Sequence, residues 1–442
     1  MKNRFCLRLI LILISTSVFI SCGEKKEKNA EPSSTDSEEA LVEKARKIHD
    51  NIITIDTHVD IDVRTFTPET NYTQELPIQV DLPKMEAGGL DAVFLIVYTG
   101  QGELNEEGYK KAYENADAKF NAIHRLTEEI APDRIELATT AADVRRIAKS
   151  GKKVALIGIE NGYPMGEDIR KLQEFYDRGA RYFSVAHNGH SQLGDSNTGE
   201  EDDVWLYNNG LSDLGKQVIS ELNRLGIMID LSHPSTGSNK QAIELSKAPV
   251  IASHSSARAV NDVSRNLWDE ELLAIKENGG VVQAVAFAGY VNSKKDSIHK
   301  NESRKILEEM ASEMDFPLLS WPEFSQLNGA EAGAYMEKYL ELQSKAKPRI
   351  EAEVNPIAPP VDVADFVDHI DYMVDLIGID HVGISSDFDG GGGVYGWDNA
   401  AETFNVTLEL VKRNYSEEDI RKLWGENLLR VMEEVERVAE DL

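Results

Sequence analysis

The stretch TIDTHVDI, residues 54–61, sets Asp56, His58 and Asp60 at alternate positions of a run that otherwise reads as a buried β-strand. Alternation puts these three side chains on one face of the strand. Burying them without partners would cost several kcal/mol, so they must bind something. Imidazole and carboxylate together suit zinc or a similar borderline divalent ion. The same residue types recur downstream at the ends of other apolar runs. Glu160 closes KKVALIGIENG (152–162), His187 closes ARYFSVAHNG (180–189) and His233 closes GIMIDLSHP (226–234). His254 lies in APVIASHSS (248–256) and Asp387 in DHVGISSDFDG (380–390).

Of the ten histidines, His58, His187, His233 and His254 share this register. His49, His124, His190, His299, His369 and His381 fall in helices, loops or strand starts and are read as structural. The donors outnumber what one tetrahedral site with an open position requires. They imply two zinc ions per chain, about 3.5–4 Å apart, sharing one carboxylate and a hydroxide. No lysine ends the fourth apolar run to serve as a modified bridge, which leaves Glu160 for that place. Asp387 directly follows a buried run and is positioned to accept a proton from the bridging water and pass it to a leaving nitrogen. Asp389, two residues on, already belongs to the Gly-rich turn DGGGGVYG.

Such a constellation needs a scaffold that brings residues more than 300 positions apart to one face. NIITIDTHVD (51–60), DAVFLIVYTG (91–100) and GGVVQAVAF (279–287) complete a series of eight β-rich runs. Helix-length amphipathic segments such as DLGKQVISELNRL (213–225) and KQAIELS (240–246) separate most of them. This alternation predicts an α/β fold of the (β/α)8 TIM-barrel type, whose strand carboxyl ends all meet at one face. An open doubly wound sheet is the runner-up, but no Gly-rich phosphate turn follows the first strand. Residues 101–150 read as long helices after the second strand. Residues 293–360 read as a large helical insertion after the seventh, either a lid or interface over the site or an ornament.

The N-terminus MKNRFCLRLILILISTSVFISCG has the basic start and apolar run of a signal peptide, residues 1–21. Its end, FISC, resembles a bacterial lipoprotein cleavage box, with Cys22 as the acylated first residue and Phe19 atypical within the box. Residues 22–40 read as a flexible tether and 41–442 as the catalytic barrel. The expectation is an exported cell-envelope lipoprotein, facing the periplasm or exposed on the outer membrane, held to the membrane by that N-terminal lipid. Of the two cysteines, Cys6 lies in the leader and Cys22 would be the acylated first residue, so the mature barrel has no pair for a disulfide. Stability must come from a large core, for which the 41% hydrophobic content suffices. The net charge of -30 argues against nucleic acid or an anionic lipid surface as partner.

The motifs DTHVD, IGIENG, SVAHNG, ELNRLGIMIDLSHPS, APVIASHSSARAVNDVSRN and DHIDYMVDLIGIDHVGISSDFDG, in this order across about residues 50–390, resemble the membrane (renal) dipeptidase family of zinc peptidases. The resemblance implies a barrel of the metallo-dependent hydrolase type acting on dipeptides, with D-residues accepted at the carboxyl position. It implies that His58 and Asp60 hold one zinc, His233 and His254 the other, and Glu160 bridges them. His187 would contact the scissile carbonyl oxygen, and Asp387 would carry the proton. Arg265, in SRN, would grip the substrate's free carboxylate with its planar fork, assisted by Tyr290. The mammalian members are disulfide-linked and carry a C-terminal lipid anchor, whereas this chain has no mature cysteine pair and a predicted N-terminal lipid. A homodimer stays open. Two other readings keep part of this pattern: a barrel hydrolysing lactones or N-acyl amino acids, and a surface lipoprotein that binds peptides without turnover.

Overall fold

A computed structural model describes residues 38–442 apart from 325 and 328. The predicted leader, Cys22 and most of the predicted tether lie outside the described residues. The strands are β1 (Ile55–Asp60), β2 (Ala92–Tyr98), β3 (Ile135–Leu137), β4 (Lys153–Glu160), β5 (Ala180–Ser184), β6 (Met228–Asp230), β7 (Ile251–Ala252), β8 (Val281–Val285) and β9 (Val382–Ser385). Eight of them pair in parallel in the order β1-β2-β4-β5-β6-β7-β8-β9. The ring closes through a parallel bridge between Val59 and Phe388, where the Asp60 N–H donates to the Phe388 carbonyl at 2.9 Å. This is the (β/α)8 barrel that the alternation predicts.

The strands are short, β-branched and buried on both faces, as parallel strands wrapped by helices must be. Gly158 on β4 makes room inside the ring. A Cβ there would lie 2.1 Å from the Tyr182 ring, which crosses the barrel interior from β5. The outer helices follow from their own sequences. In Asp213–Leu225, Val218, Ile219 and Leu222 form the buried stripe, Ser212 caps the N-terminus and Gly226 ends the helix at φ +77°.

Two expectations need correction. The segment 101–150 is not helical throughout. After helix Glu106–Arg125 and a π turn at Leu126–Ile130, the chain forms β3 before helix Ala141–Ser150. β3 pairs with the start of β4, on the edge that β5 joins only from Ile157 onward. Helix Glu38–His49 also begins inside the predicted tether. Glu38 and Glu39 suit its positive N-terminal end, and Ala45, Ile48 and His49 anchor it in the core.

The insertion consists of helices Ser293–Glu313, Trp321–Phe324 and Gly329–Arg349 with a final π turn at Ile350–Val354. It has small apolar clusters of its own, one around Ile306, Ala346 and Val354 and one around Ala311, Phe316 and Leu342. Met336 reaches from it to the cavity at the barrel mouth.

Candidate metal centre

Glu160, the last residue of β4, is the hub of the site. Its Oε1 lies 3.0 Å from His233 Nε2, 3.3 Å from His254 Nε2 and 3.9 Å from His187 Nε2. Its Oε2 lies 3.5 Å from His58 Nε2, which is also 3.6 Å from Asp60 Oδ2 and 3.9 Å from Asp387 Oδ1. Three overlapping donor groups result: His58, Glu160 and His254; Glu160, His187 and His233; His58, Asp60 and Asp387. His254 stands close to both His58 and His233, so proximity alone does not divide the ligands into two sets.

These residues fit divalent ions. Donors that share an ion at about 2.0–2.1 Å stand about 3–4 Å from one another, as these do. His58 Nε2 is fully buried and has no hydrogen-bond partner among the described residues. The hydrogen bonds behind the rings fix which nitrogen is free. The Tyr182 hydroxyl donates to the Thr57 carbonyl at 3.2 Å, so the 2.9 Å contact with His58 uses an Nδ1–H and leaves the Nε2 lone pair facing Glu160. The Ser253 hydroxyl likewise donates to Asp230 Oδ2 at 2.8 Å and receives His254 Nδ1–H at 2.8 Å. Such outer partners orient metal-binding imidazoles and raise their basicity.

Electrostatics agree with this assignment. Burial lowers the pKa of His187, His233 and His254, and those of the last two fall well below the ordinary imidazole value, which favours the uncharged form that binds a metal. Burial opposes ionisation of Glu160, but the surrounding His58, His187 and His233 outweigh it and hold the carboxyl well below the carboxylate range. At His58, burial opposes the cation while Glu160 and Asp60 favour it, and the net pKa rises. Positive charge is therefore stabilised beside Nε2. Burial raises the Asp387 carboxyl to about 8.

Of Asp56, His58 and Asp60 on β1, only the last two belong to this group. The Asp56 carboxylate accepts the Ser386 N–H at 3.0 Å and the Ser386 hydroxyl, pinning the segment that carries Asp387. Asp387 itself sits in the left-handed region at φ +59°. Gly390 gives it space, since a Cβ there would lie 2.4 Å from both Asp387 Oδ1 and Asp60 Oδ2. Asp389 accepts the backbone N–H groups of Gln79 and Val80 at 2.8 and 3.2 Å, which commits its carboxylate to that loop.

The donors line a cavity of about 730 Å³ at the carboxyl ends of the strands. Tyr290 forms part of one wall, stacked on Phe287 at 4.0 Å. The Arg265 guanidinium lies 5.3 Å from the Tyr290 ring and is turned toward the ligands, donating to the Ser232 carbonyl and, at 3.0 Å, to His233 Nε2. All nine barrel residues predicted to act thus meet at one end of the ring. Sequence reasoning missed the supporting Tyr182, Asp230 and Ser253, and Lys119 in the opposite wall. The one available signal was Lys119's place on the apolar stripe of its helix, beside Ala112, Ala116, Phe120 and Ile123.

Comparisons with known proteins point the same way. Residues 42–442 match the family model described as membrane dipeptidase, peptidase family M19. The chain is 30% identical over 379 residues to dipeptidase aclJ of Aspergillus oryzae, a match covering 84% of this chain and 74% of that one. Among solved structures, the probable dipeptidase PvdM from Pseudomonas aeruginosa superposes with a TM-score of 0.72 at 32% identity, covering 90% of this chain and 99% of that one. A metallo peptidase from Rhodobacter sphaeroides, liganded with a phosphinate mimic of L-Ala-D-Ala, shares the fold with a TM-score of 0.64 at 22% identity, covering 87% of this chain and 99% of that one. With a family match over the whole barrel and donors converging at its mouth, the chain belongs to the membrane dipeptidase family, peptidase family M19.

Proposed function

We propose that this protein is a zinc-dependent dipeptidase that hydrolyses the peptide bond of free dipeptides, including those with a D-residue at the carboxyl position. His58 and Asp60 would hold one zinc ion, His233 and His254 the second, and Glu160 would bridge them. The bound pair would polarise the scissile carbonyl and lower the pKa of a shared water towards neutrality. His187, in the cavity wall beside Glu160, donates to the carbonyl oxygen as charge develops there. Asp387 takes the proton of the attacking water on a carboxylate oxygen and delivers it to the leaving nitrogen. Arg265 exchanges its contact with His233 for the substrate's free carboxylate, with Tyr290 alongside.

The observation that carries this reading is the ring of four imidazoles around Glu160, with Nε2 atoms between 3.0 and 3.9 Å from its oxygens. The test incubates purified protein and zinc with L,L- and L,D-dipeptides, using N-acetyl amino acids and a lactone as controls, and follows amine release with and without chelator. Chelator-sensitive cleavage of dipeptides alone is expected. Zinc binding without dipeptide cleavage would overturn the reading.

The sequence also supports export and acylation at Cys22, which would tether the barrel to the cell envelope of a bacterium. Mass analysis of the mature N-terminus tests this. An unmodified start away from Cys22 removes it.

A further inference from the structure

Lys119 lies on helix Glu106–Arg125, which follows β2, and its side chain lines the same cavity as the metal-ligand set. It is only 8% exposed. Its ammonium makes no hydrogen bond or ion pair with any described residue. The group it meets is the Tyr98 ring, 5.3 Å from Nζ to the centroid, and that ring is in turn 4.6 Å from His187. The neighbouring carboxylates have other commitments. Asp62 is gripped by Arg64, whose Nε lies 3.0 and 2.8 Å from its two oxygens, and Asp60 and Glu160 belong to the metal-ligand set. Burial lowers the pKa of Lys119, and Asp60, Glu160 and Asp62 do not offset it. A buried cation without an anion of its own is costly, and a ligand that supplies the anion removes the cost.

Its place in the ring says which part of a substrate it meets. β2 is second in the order of eight and β7 is sixth, so Lys119 stands across the barrel from Arg265, which follows β7. A dipeptide with its carboxylate at Arg265 and its scissile carbonyl over Glu160 directs its amino-terminal residue toward Lys119. We propose that Lys119 selects the amino-terminal residue of the substrate and favours an acidic side chain, glutamate or aspartate. The proposal rests on the dipeptidase reading.

The test compares zinc-loaded wild type, Lys119→Met and Lys119→Glu on L-Glu-L-Ala, L-Gln-L-Ala and L-Lys-L-Ala. Glutamate and glutamine match in shape and differ in charge, so the ratio of their kcat/KM values isolates the ammonium. Wild type should prefer L-Glu-L-Ala over L-Gln-L-Ala by about tenfold or more. Lys119→Met should bring the ratio to near one, and Lys119→Glu should move the preference to L-Lys-L-Ala. A wild-type ratio of one or below, or a ratio that Lys119→Met leaves in place, overturns the proposal while the dipeptidase reading stands. If no dipeptide is cleaved, that reading falls, and calorimetry with free L-glutamate and L-glutamine decides on Lys119. Tighter glutamate binding that Lys119→Met abolishes upholds it as a site for an acidic group, and equal binding overturns it.

Discussion

Replacing Gly390 by alanine should disable the site without unfolding the barrel. A Cβ at this position would lie 2.4 Å from Asp387 Oδ1 and 2.4 Å from Asp60 Oδ2, whereas ordinary contact begins at 3.4 Å. Each oxygen must therefore retreat by about 1 Å. Neither is free to follow its backbone. The Asp60 N–H is bonded to the Phe388 carbonyl, and the segment before Asp387 is tied to Asp56 through Ser386. The two side chains must turn instead, which disturbs their placement beside His58. A misplacement of about 1 Å costs on the order of 10²-fold in rate. Gly390 is not among the residues with positive φ, so alanine meets no backbone strain and the damage stays local. The assay is steady-state dipeptide hydrolysis across a zinc titration, with thermal melts alongside. Gly333→Ala, where an added Cβ meets nothing within 4 Å, is the control. The expected result is a folded Gly390→Ala protein with kcat/KM lower by about 10²-fold and weaker zinc binding. Wild-type turnover with full zinc content would refute the argument that Asp60 and Asp387 act from their observed positions.

Three further outcomes follow from the geometry. Asp387→Asn should keep its zinc and lose about 10²–10⁴-fold in turnover; loss of zinc instead would make Asp387 a ligand. Ser253→Ala removes the hydroxyl between Asp230 and His254, and competition with a chelating indicator should show zinc affinity lower by about 10–100-fold. Unchanged affinity would dismiss the relay. His369, buried by helix Val363–Ile377, accepts the Ala257 N–H on Nδ1 at 3.2 Å and donates from Nε2 to the Val291 carbonyl at 2.8 Å, a pairing that only the neutral ring can make. Burial lowers its pKa below the ordinary 6.5, so the unfolded chain takes up a proton that the folded one refuses. The stability advantage of wild type over His369→Gln should therefore shrink as the pH falls from about 7.5 through 6.5 and below, as read from urea midpoints. An advantage that widens over that range would contradict the assignment.

Much of the site was legible because metal donors at strand ends break an otherwise apolar pattern. His58, Glu160, His233, His254 and Asp387 each stand where an apolar residue is expected, and the barrel brings those places together. The supporting partners were not legible for the opposite reason. Tyr182 reads as an ordinary core aromatic, and only the loop of the chain back to β1 shows that its hydroxyl faces His58. Asp230 and Ser253 are 23 residues apart, and nothing local marks their hydrogen bond. β7 illustrates the limit on boundaries. The run 248–256 reads as a full strand, yet the ladder covers only Ile251–Ala252, because the Ser253 N–H donates to Asp230 Oδ1 and the chain bends there to present His254. β3 escaped because three residues after Pro132 are too few to establish an alternation. Lys119 was readable in principle as a charge on an apolar stripe, but a single lysine on an amphipathic helix usually extends its amine into solvent.

The seam between β1 and β9 also sets when the protein can become active. Asp56 and Ser386, which meet across it, are 330 residues apart, and the Asp60 amide finds its carbonyl only at Phe388. A growing chain holds all four strands that lead to its proposed ligands, β1, β4, β6 and β7, long before the eighth position of the ring exists. Until that last strand arrives, the edge of β1 stays open and Asp387 has no place to stand. Competence is thus conferred in one event near the end of synthesis, and a chain cut short before Phe388 is left with ligands but no closed vessel to hold them.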